Sequence, residues 1–524
     1  MLSRFCEINN FDDLLFFAQN ANRVYIYGMG KYGQALYSFL DCKKSKPDGY
    51  IVTHKSFVKG LEYDVKTINE IDNILTENDA IVIGVGANLR DEVVRNIPER
   101  IKAKIGIIRE EIFHEIIYEE YKENVKSLTQ ERPPFPYTGK DSFRNILVIR
   151  LDRMGDLIWT SAFLRELRYN FHDANITVVV SKGNISLLDG CPYIDDVIGY
   201  SYSSFEENGG VSWEEELQRA KEFAESNLQQ KSYDVVFLPR GLEPDSARAN
   251  VFLAVYSSAT VRIANYFTIN NKVEKWFDLL MKNLFSLVIG HDVPKHETVK
   301  MLDMLTAIGC AVDKDVTEVW KSPKNSDNVS ISKELKYIQK KYSMLVAVGL
   351  TTQDQQKNWD VQKFKEVFRE MGQDFSVCFL LLGDKAAVEF ADKAMVKSCC
   401  VDFTGKTGWN DIINIMEVCD MYFGLDTGLV HVAAALGKPV MELICHLPWG
   451  DDDMMYSMVH CGAWRTKSVA IYPSFAADER CAQAGQCISK QSHCINNIAV
   501  DKVVGILKQF LLYHKFEQRR LGRI

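Results

Sequence analysis

Short apolar runs recur along this chain, each followed by a stretch with helical spacing of apolar positions. "RVYIYGMGKYGQALYSFL" reads as strand, glycine turn and helix, and "GYIV" and "DAIVIGVG" read as further buried strands. "TQERPPFPYTGKD", Thr129 to Asp141, holds three prolines among polar residues and predicts a linker. The alternation then resumes: "NILVIRL" is a strand, "DLIWTSAFLRELRYNF" a helix and "ITVVVS" a strand. "YDVVFLPRG" and the apolar run in "MLDMLTAIG" continue it. After the polar break "KSPKNSDNVS", a third set of strand-like runs follows in "SMLVAVGLTT", "VCFLLLG", "MYFGL" and "PVMELI".

Alternating β and α segments predict parallel sheets covered by helices, an α/β class. The expected organisation is a small Rossmann-like unit over 1–128 and a linker over 129–141. Two further α/β domains follow over 142–325 and 326–524. Two such domains facing each other make a cleft, with ligands at the carboxyl ends of the strands.

Composition narrows the class. The chain has 524 residues, 47% hydrophobic and 25% charged, enough apolar material for more than one core. A net charge of −8 speaks against a general nucleic-acid binder. The N-terminus lacks the uninterrupted apolar stretch of a signal peptide, and no apolar run is long enough to span a membrane. The odd count of 13 cysteines is expected of reduced thiols in a cytoplasmic protein.

Two strand-to-helix turns carry the candidate chemistry. In "FGLDTGLVHVAAALGKP", Phe423 to Pro439, Asp426 and Thr427 are placed to cap a helix that ends near Leu436 at Gly437. Its positive end lies at the mouth of the sheet, and Gly428 leaves room for a phosphate. His431 lies about one turn in. An equal reading is that Asp426 and Thr427 only cap and His431 only packs. In "RNILVIRLDRMGDLIWTSAFLRELR" a buried strand ends at Leu151 and Asp156 opens a helix. That acid reads either as an N-cap or as a general base aimed into the cleft.

Together "RLDRMGD" and "FGLDTGLVHVAAALGKP" resemble the heptosyltransferases, glycosyltransferase family 9. The resemblance covers residues 144–505 and includes "KHETVKMLDMLTAIG", "GLTTQDQQKNWDVQKFKEV", "FTGKTGWNDIINIMEVCD" and "CAQAGQCISKQSHCI". It implies a GT-B fold, with acceptor on the N-terminal Rossmann-like domain and nucleotide sugar on the C-terminal one. It also implies inversion at the anomeric carbon without a catalytic metal or other cofactor. By the resemblance Asp156 is the catalytic base. Thr351, Thr352, Lys357, Asp426, Thr427, Gly428 and His431 bind the donor, and Glu389 is placed near its nucleoside. Arg150, Asp152 and Arg240 lie on the acceptor side. The implied partners are ADP-heptose or another nucleotide sugar and a lipid-linked or oligosaccharide acceptor such as lipopolysaccharide or capsule. The rival readings are a nucleotide-sugar epimerase of the same fold and a non-catalytic nucleotide-sugar binder.

Some features stand outside that pattern. "CHLPWGDDD" replaces the family's usual glycine-proline-threonine turn, and Asp451 to Asp453 read as a solvated loop rather than a metal site. "GMGKYG", Gly28 to Gly33, has dinucleotide-loop spacing. Thr53 and His54 stand where the confirming acid belongs, so NAD is not expected. Cys481, Cys487, His493 and Cys494 fit no strong zinc spacing and read as packed thiols. Lys515, Arg519, Arg520 and Arg523 beside Leu512, Phe516 and Leu521 form a basic tail. It is expected to be solvated, or to lie peripherally on the inner face of a membrane.

Overall fold

Apolar runs too short for helices and buried on both faces become the inner strands of three sheets, each of six parallel strands. The structure, a computed structural model, describes residues 4–29, 31–53, 64–85, 87–109, 112–113, 115–116, 143–201, 213–240, 248–267, 284–291, 295–324, 328–447, 458–484, 487–489 and 491–520. The first sheet holds β1 (Phe5–Ile8), β2 (Val24–Tyr27), β3 (Gly49–Val52), β4 (Val65–Thr67), β5 (Ala80–Ile83) and β6 (Lys104–Ile108), in the order β1-β6-β5-β2-β3-β4. The second holds β7 (Asn145–Arg150), β8 (Asn175–Ser181), β9 (Asp196–Tyr200), β10 (Val235–Leu238), β11 (Val261–Phe267) and β12 (Leu287–His291), in the order β12-β11-β10-β7-β8-β9. The third holds β13 (Met344–Gly349), β14 (Val377–Leu382), β15 (Cys400–Asp402), β16 (Met421–Leu425), β17 (Val440–Leu443) and β18 (Ser468–Ile471), in the order β15-β14-β13-β16-β17-β18.

The α/β expectation holds. In the second and third sheets the chain starts at the centre, winds outward to one edge, then crosses back and winds to the other. That is the doubly wound order, and it puts a crevice where the winding reverses. The reversals lie between β7 and β10 and between β13 and β16. The predicted linker over 129–141, the aspartates 451–453, Gly30, His54, and the basic side chains at 515, 519, 520 and 523 lie outside the described residues. No helix among the described residues is long and apolar enough to cross a membrane.

The helix Met154–Asn170 sets the relation of the second and third sheets. Gly155 and every residue from Leu157 to Leu167 are buried, so the body of the helix has no solvent face and runs between layers. One continuous buried cluster includes its Leu157, Ile158, Trp159 and Phe163 with Ile146 and Val148 of the second sheet. The same cluster reaches Leu345 and Leu380 of the third sheet and Val430 of the helix that follows β16.

The C-terminal helix Val500–Arg520 closes the third unit. Its Val503, Val504, Leu507 and Leu511 join a core with Phe364, Phe368 and Phe423.

Candidate active site

Both candidate turns lie at the reversal points. Arg150 ends β7, and the following turn carries Asp152 and Asp156, while Arg240 lies just beyond β10. Across the cleft, Thr351, Thr352 and Lys357 follow β13, and Asp426, Thr427 and Gly428 follow β16.

Asp156 sits in the first turn of its helix. Its Oδ2 accepts the backbone N–H of Arg153 at 3.1 Å, satisfying a helix-end donor. Its Oδ1 faces Nη2 of Arg150 at 3.3 Å and Nη1 of Arg240 at 3.5 Å. One oxygen thus holds the helix start, from the third helical position rather than as the N-cap, which is Arg153, and the other faces the two arginines. Arg240 Nη1 also donates to Asp152 Oδ1 at 2.7 Å. Arg150 is 1% exposed, and its Nε and Nη1 have no hydrogen-bond partner, although Nε lies 3.1 Å from Asp152 Oδ2.

Glu297, which the sequence reading did not single out, completes this group. Its carboxylate takes Nζ of buried Lys300 at 2.7 Å and feels Arg150 and Arg240.

The carboxyls are pushed in opposite directions. Burial and the charge of Asp152 raise the pKa of Asp156, with Arg240 and Arg150 opposing. Burial also acts on Asp152, but Arg240 and Arg150 outweigh it and hold that carboxyl below its usual range. Glu297 is likewise held low, with Lys300 outweighing burial. Carboxyls with diverging pKa values divide the work: the raised one takes and gives a proton, and the lowered ones stay charged.

On the facing side, Lys357 Nζ meets Asp426 Oδ2 at 2.7 Å. Burial disfavours both charges, yet each outweighs it for the other. The Lys357 pKa is raised and that of Asp426 lowered.

The paired caps expected from the sequence resolve into separate roles. Thr427 caps the helix Gly428–Ala435, its Oγ1 accepting the N–H of Leu429 at 3.3 Å, while Asp426 engages the lysine. Gly437, with φ +66°, ends the helix as predicted. Its N–H bonds to Ala434 O, and that of Lys438 to Ala433 O. Thr352 Oγ1 donates to Asp354 O at 2.7 Å, and its N–H donates to Asn358 Oδ1 at 2.7 Å. These bonds shape the loop that ends in Lys357. Thr351 is half-buried beside Gly383.

Three expectations change. Gly428 lacks a side chain because the other domain approaches it: an added Cβ would lie 2.9 Å from Met154 Sδ. Gly155 answers this, since a Cβ there would lie 2.5 Å from the His431 ring. The two helix starts interlock through their glycines. His431 is not turned to an anion at its own helix start. It is buried, and its Nδ1 accepts the indole N–H of Trp159 at 3.1 Å across the domains. Glu389 is likewise outside the group: its side chain is 81% exposed and pairs with Lys393 on the same helix.

Burial lowers the pKa of His431 to about 4, and that of His296, which stacks on Trp464, to about 4. Both start near 6.5 in the unfolded chain. Below that value the unfolded chain takes up protons that the folded one refuses. Stability is therefore full above pH 6.5 and falls as the pH drops towards 4. Each histidine contributes about 3 kcal/mol over the full window. Thermal unfolding between pH 8 and pH 4 is expected to show the midpoint falling across it, with a shallower fall in His431→Gln. Equal pH slopes for the two proteins would remove His431 as a cause.

With this geometry in view, residues 248–445 match the sequence model of glycosyltransferase family 9 (heptosyltransferase). The crystal structure of a family 9 glycosyl transferase from Veillonella parvula superposes with a TM-score of 0.54 at 15% identity. The match covers 72% of this chain and 99% of that one. It shows the fold: GT-B, two Rossmann-like domains about a cleft, here preceded by a third α/β unit. The E. coli ADP-heptose LPS heptosyltransferase II aligns at 15% identity with a TM-score of 0.48, over 71% of this chain and 99% of that one. The E. coli heptosyltransferase WaaC with ADP gives 14% and 0.47 over 71% and 99%. No curated protein matches the chain.

Proposed function

We propose that the chain transfers a sugar from a nucleotide donor to an acceptor hydroxyl in one displacement, with inversion. One observation carries this reading: two Rossmann-like sheets bring a carboxyl of raised pKa, Asp156, and a half-buried cation, Lys357, to facing reversal points, the lysine within the stretch that matches family 9.

The acceptor hydroxyl gives its proton to Asp156 Oδ1 as its oxygen bonds to the anomeric carbon. The bond from that carbon to the diphosphate breaks on the opposite face. Lys357 meets the charge that develops on the leaving group. Arg150 and Arg240 hold Oδ1 and offer donors to an anionic or polyhydroxyl acceptor. No divalent metal is assigned to the step, because each carboxylate described here already faces a basic side chain: Asp152 and Asp156 face Arg240, Glu297 faces Lys300, and Asp426 faces Lys357.

The family's heptosyltransferase designation supports a heptose donor such as ADP-heptose and a bacterial surface glycan as acceptor, met in the cytoplasm or at the inner membrane face. An epimerase needs a second proton-transfer group, whereas Asp152 and Glu297 are held charged by their partners.

Thermal unfolding with ADP, GDP, UDP, CDP and NAD tests the donor class. A nucleoside diphosphate at about a hundred times its dissociation constant is expected to stabilise by about 2.7 kcal/mol. Stabilisation by NAD alone would refute the reading.

A further inference from the structure

Cys481, Cys487, His493 and Cys494 are used by none of the cleft chemistry. Their spacing suggests no metal motif, yet the fold gathers them. The short helix Glu479–Ala484 presents Cys481, and the chain returns to bring His493 and Cys494 beside it. His493 has φ −144° and ψ −94°, outside both strand and helix geometry, so two consecutive side chains reach one point.

The three sulfurs surround one ring nitrogen. Sγ of Cys481 and Cys487 each lie 3.7 Å from His493 Nδ1, and Sγ of Cys494 lies 3.5 Å away. All four atoms lie within 4.8 Å of one another. In a tetrahedron with metal–sulfur bonds of about 2.3 Å and a metal–nitrogen bond of about 2.05 Å, the S···N edge is about 3.6 Å. The observed S···N separations are those of ligands around a common centre.

We propose that these four residues form a structural site for one tetrahedral, thiolate-preferring divalent ion, of which zinc is the type and ferrous iron the alternative occupant. The three thiols lose their protons on binding and the imidazole binds neutral through Nδ1. Three further features support the assignment. The N–H groups of Ala477 and Ile488 donate to the sulfurs of Cys494 and Cys481, the outer-shell hydrogen bonds that orient ligating sulfurs. Asp478 takes the Cys481 N–H at 2.8 Å and places its other oxygen 3.8 Å from His493 Nε2, the side on which a ligating histidine is commonly held by a carboxylate. Finally, the buried cluster here consists of the three cysteines alone, with Ala476 packed against it. Such a core is too small to hold a loop by apolar burial, and a bound ion would supply the missing cohesion.

The site also has a place in the fold. Its segment braces the loop that ends in Lys357: Ser492 Oγ donates to Asn358 O at 2.6 Å, Asp360 N to Asn496 Oδ1 at 3.1 Å, and Trp359 Nε1 to Ile498 O at 3.3 Å. The ion thereby positions the donor loop; this consequence rests on the role proposed for Lys357, whereas the site itself does not.

The test uses the full chain purified without chelating resin and without added metal. Elemental analysis is expected to find about one equivalent of zinc or iron per chain, the element identifying the occupant. After chelation under reducing conditions, cobalt(II) should restore one equivalent and give the thiolate charge-transfer band and intense visible bands of tetrahedral cobalt. Cys494→Ser should weaken that spectrum and lose metal, while Cys42→Ser, at an exposed cysteine remote in sequence, should not. Metal-free wild-type protein that takes up no cobalt, or a disulfide within the cluster of freshly purified protein, would overturn the proposal. Neither result would touch the transferase reading, which the nucleotide panel tests separately.

Discussion

Asp156→Asn is expected to lower kcat by two to four decades, the range a positioned general base contributes, with nucleotide binding unchanged. The amide keeps an oxygen for the Arg153 N–H but cannot accept the acceptor's proton. The substitution should also leave stability intact or raise it. A folded-state pKa above the unfolded value means that ionised Asp156 opposes folding at neutral pH, and the amide removes that charge. In the wild type, the acid limb of kcat/KM should lie above the ordinary carboxylate range, because only the deprotonated form acts. Steady-state assays with nucleotide release as readout check both points. An Asn variant with wild-type turnover would remove Asp156 as the base. A variant that loses nucleotide affinity in step with turnover would make it a binding residue.

Lys357→Ala should cost about 2–4 kcal/mol of transition-state stabilisation, or two to three decades in rate. It also strands Asp426, which then sits partly buried without its cation. Stability is expected to fall by about 1–3 kcal/mol on that account. The double variant Lys357→Ala with Asp426→Asn separates the effects. If the lysine acts only within the ion pair, the double variant regains both stability and activity. If it meets the leaving diphosphate, stability returns and activity does not. The second outcome is expected, and recovered turnover would contradict it.

The resting pair has a mechanistic consequence. Asp426 is a counterion already in place. In the proposed reaction the diphosphate would compete with that carboxylate for the same ammonium, and Asp426 would take the lysine back as the leaving group departs, limiting how tightly product is held.

Much of the architecture is legible from local pattern. The runs "NILVIRL", "SMLVAVG", "VCFLLLG" and "MYFGL" are buried on both faces, and continuous apolar runs of that length fit central parallel strands. Edge strands left a weaker signal. β9 is only half-buried, and β15 and β18 are short and partly polar, so no apolar run marks them. The two glycine turns and their acids were readable because a strand ending in a helix cap is a local event.

Direction and partnership were decided by the tertiary structure. Asp426 and Thr427 are adjacent and equally able to cap, and only the position of Lys357 across the β13 loop assigns the acid to the lysine and the threonine to the helix. His431 reads as a candidate anion contact from its distance along the helix, but Trp159, 272 residues away, claims its ring nitrogen. Gly428 reads as room for a ligand, while the space it leaves is filled by Met154 of the opposite domain. The cysteines show the same limit. Their spacing follows no short motif, because the ligands are gathered by a helix and a returning turn rather than by one tight loop. Sequence by itself determined the alternation, the sheet class and the chemical types at the turns, all set by interactions within a few residues. The tertiary fold chose the partners, the loop after β13 supplying Lys357 to Asp426 and the opposite domain supplying Trp159 to His431, because most buried polar groups are held by a specific counterpart.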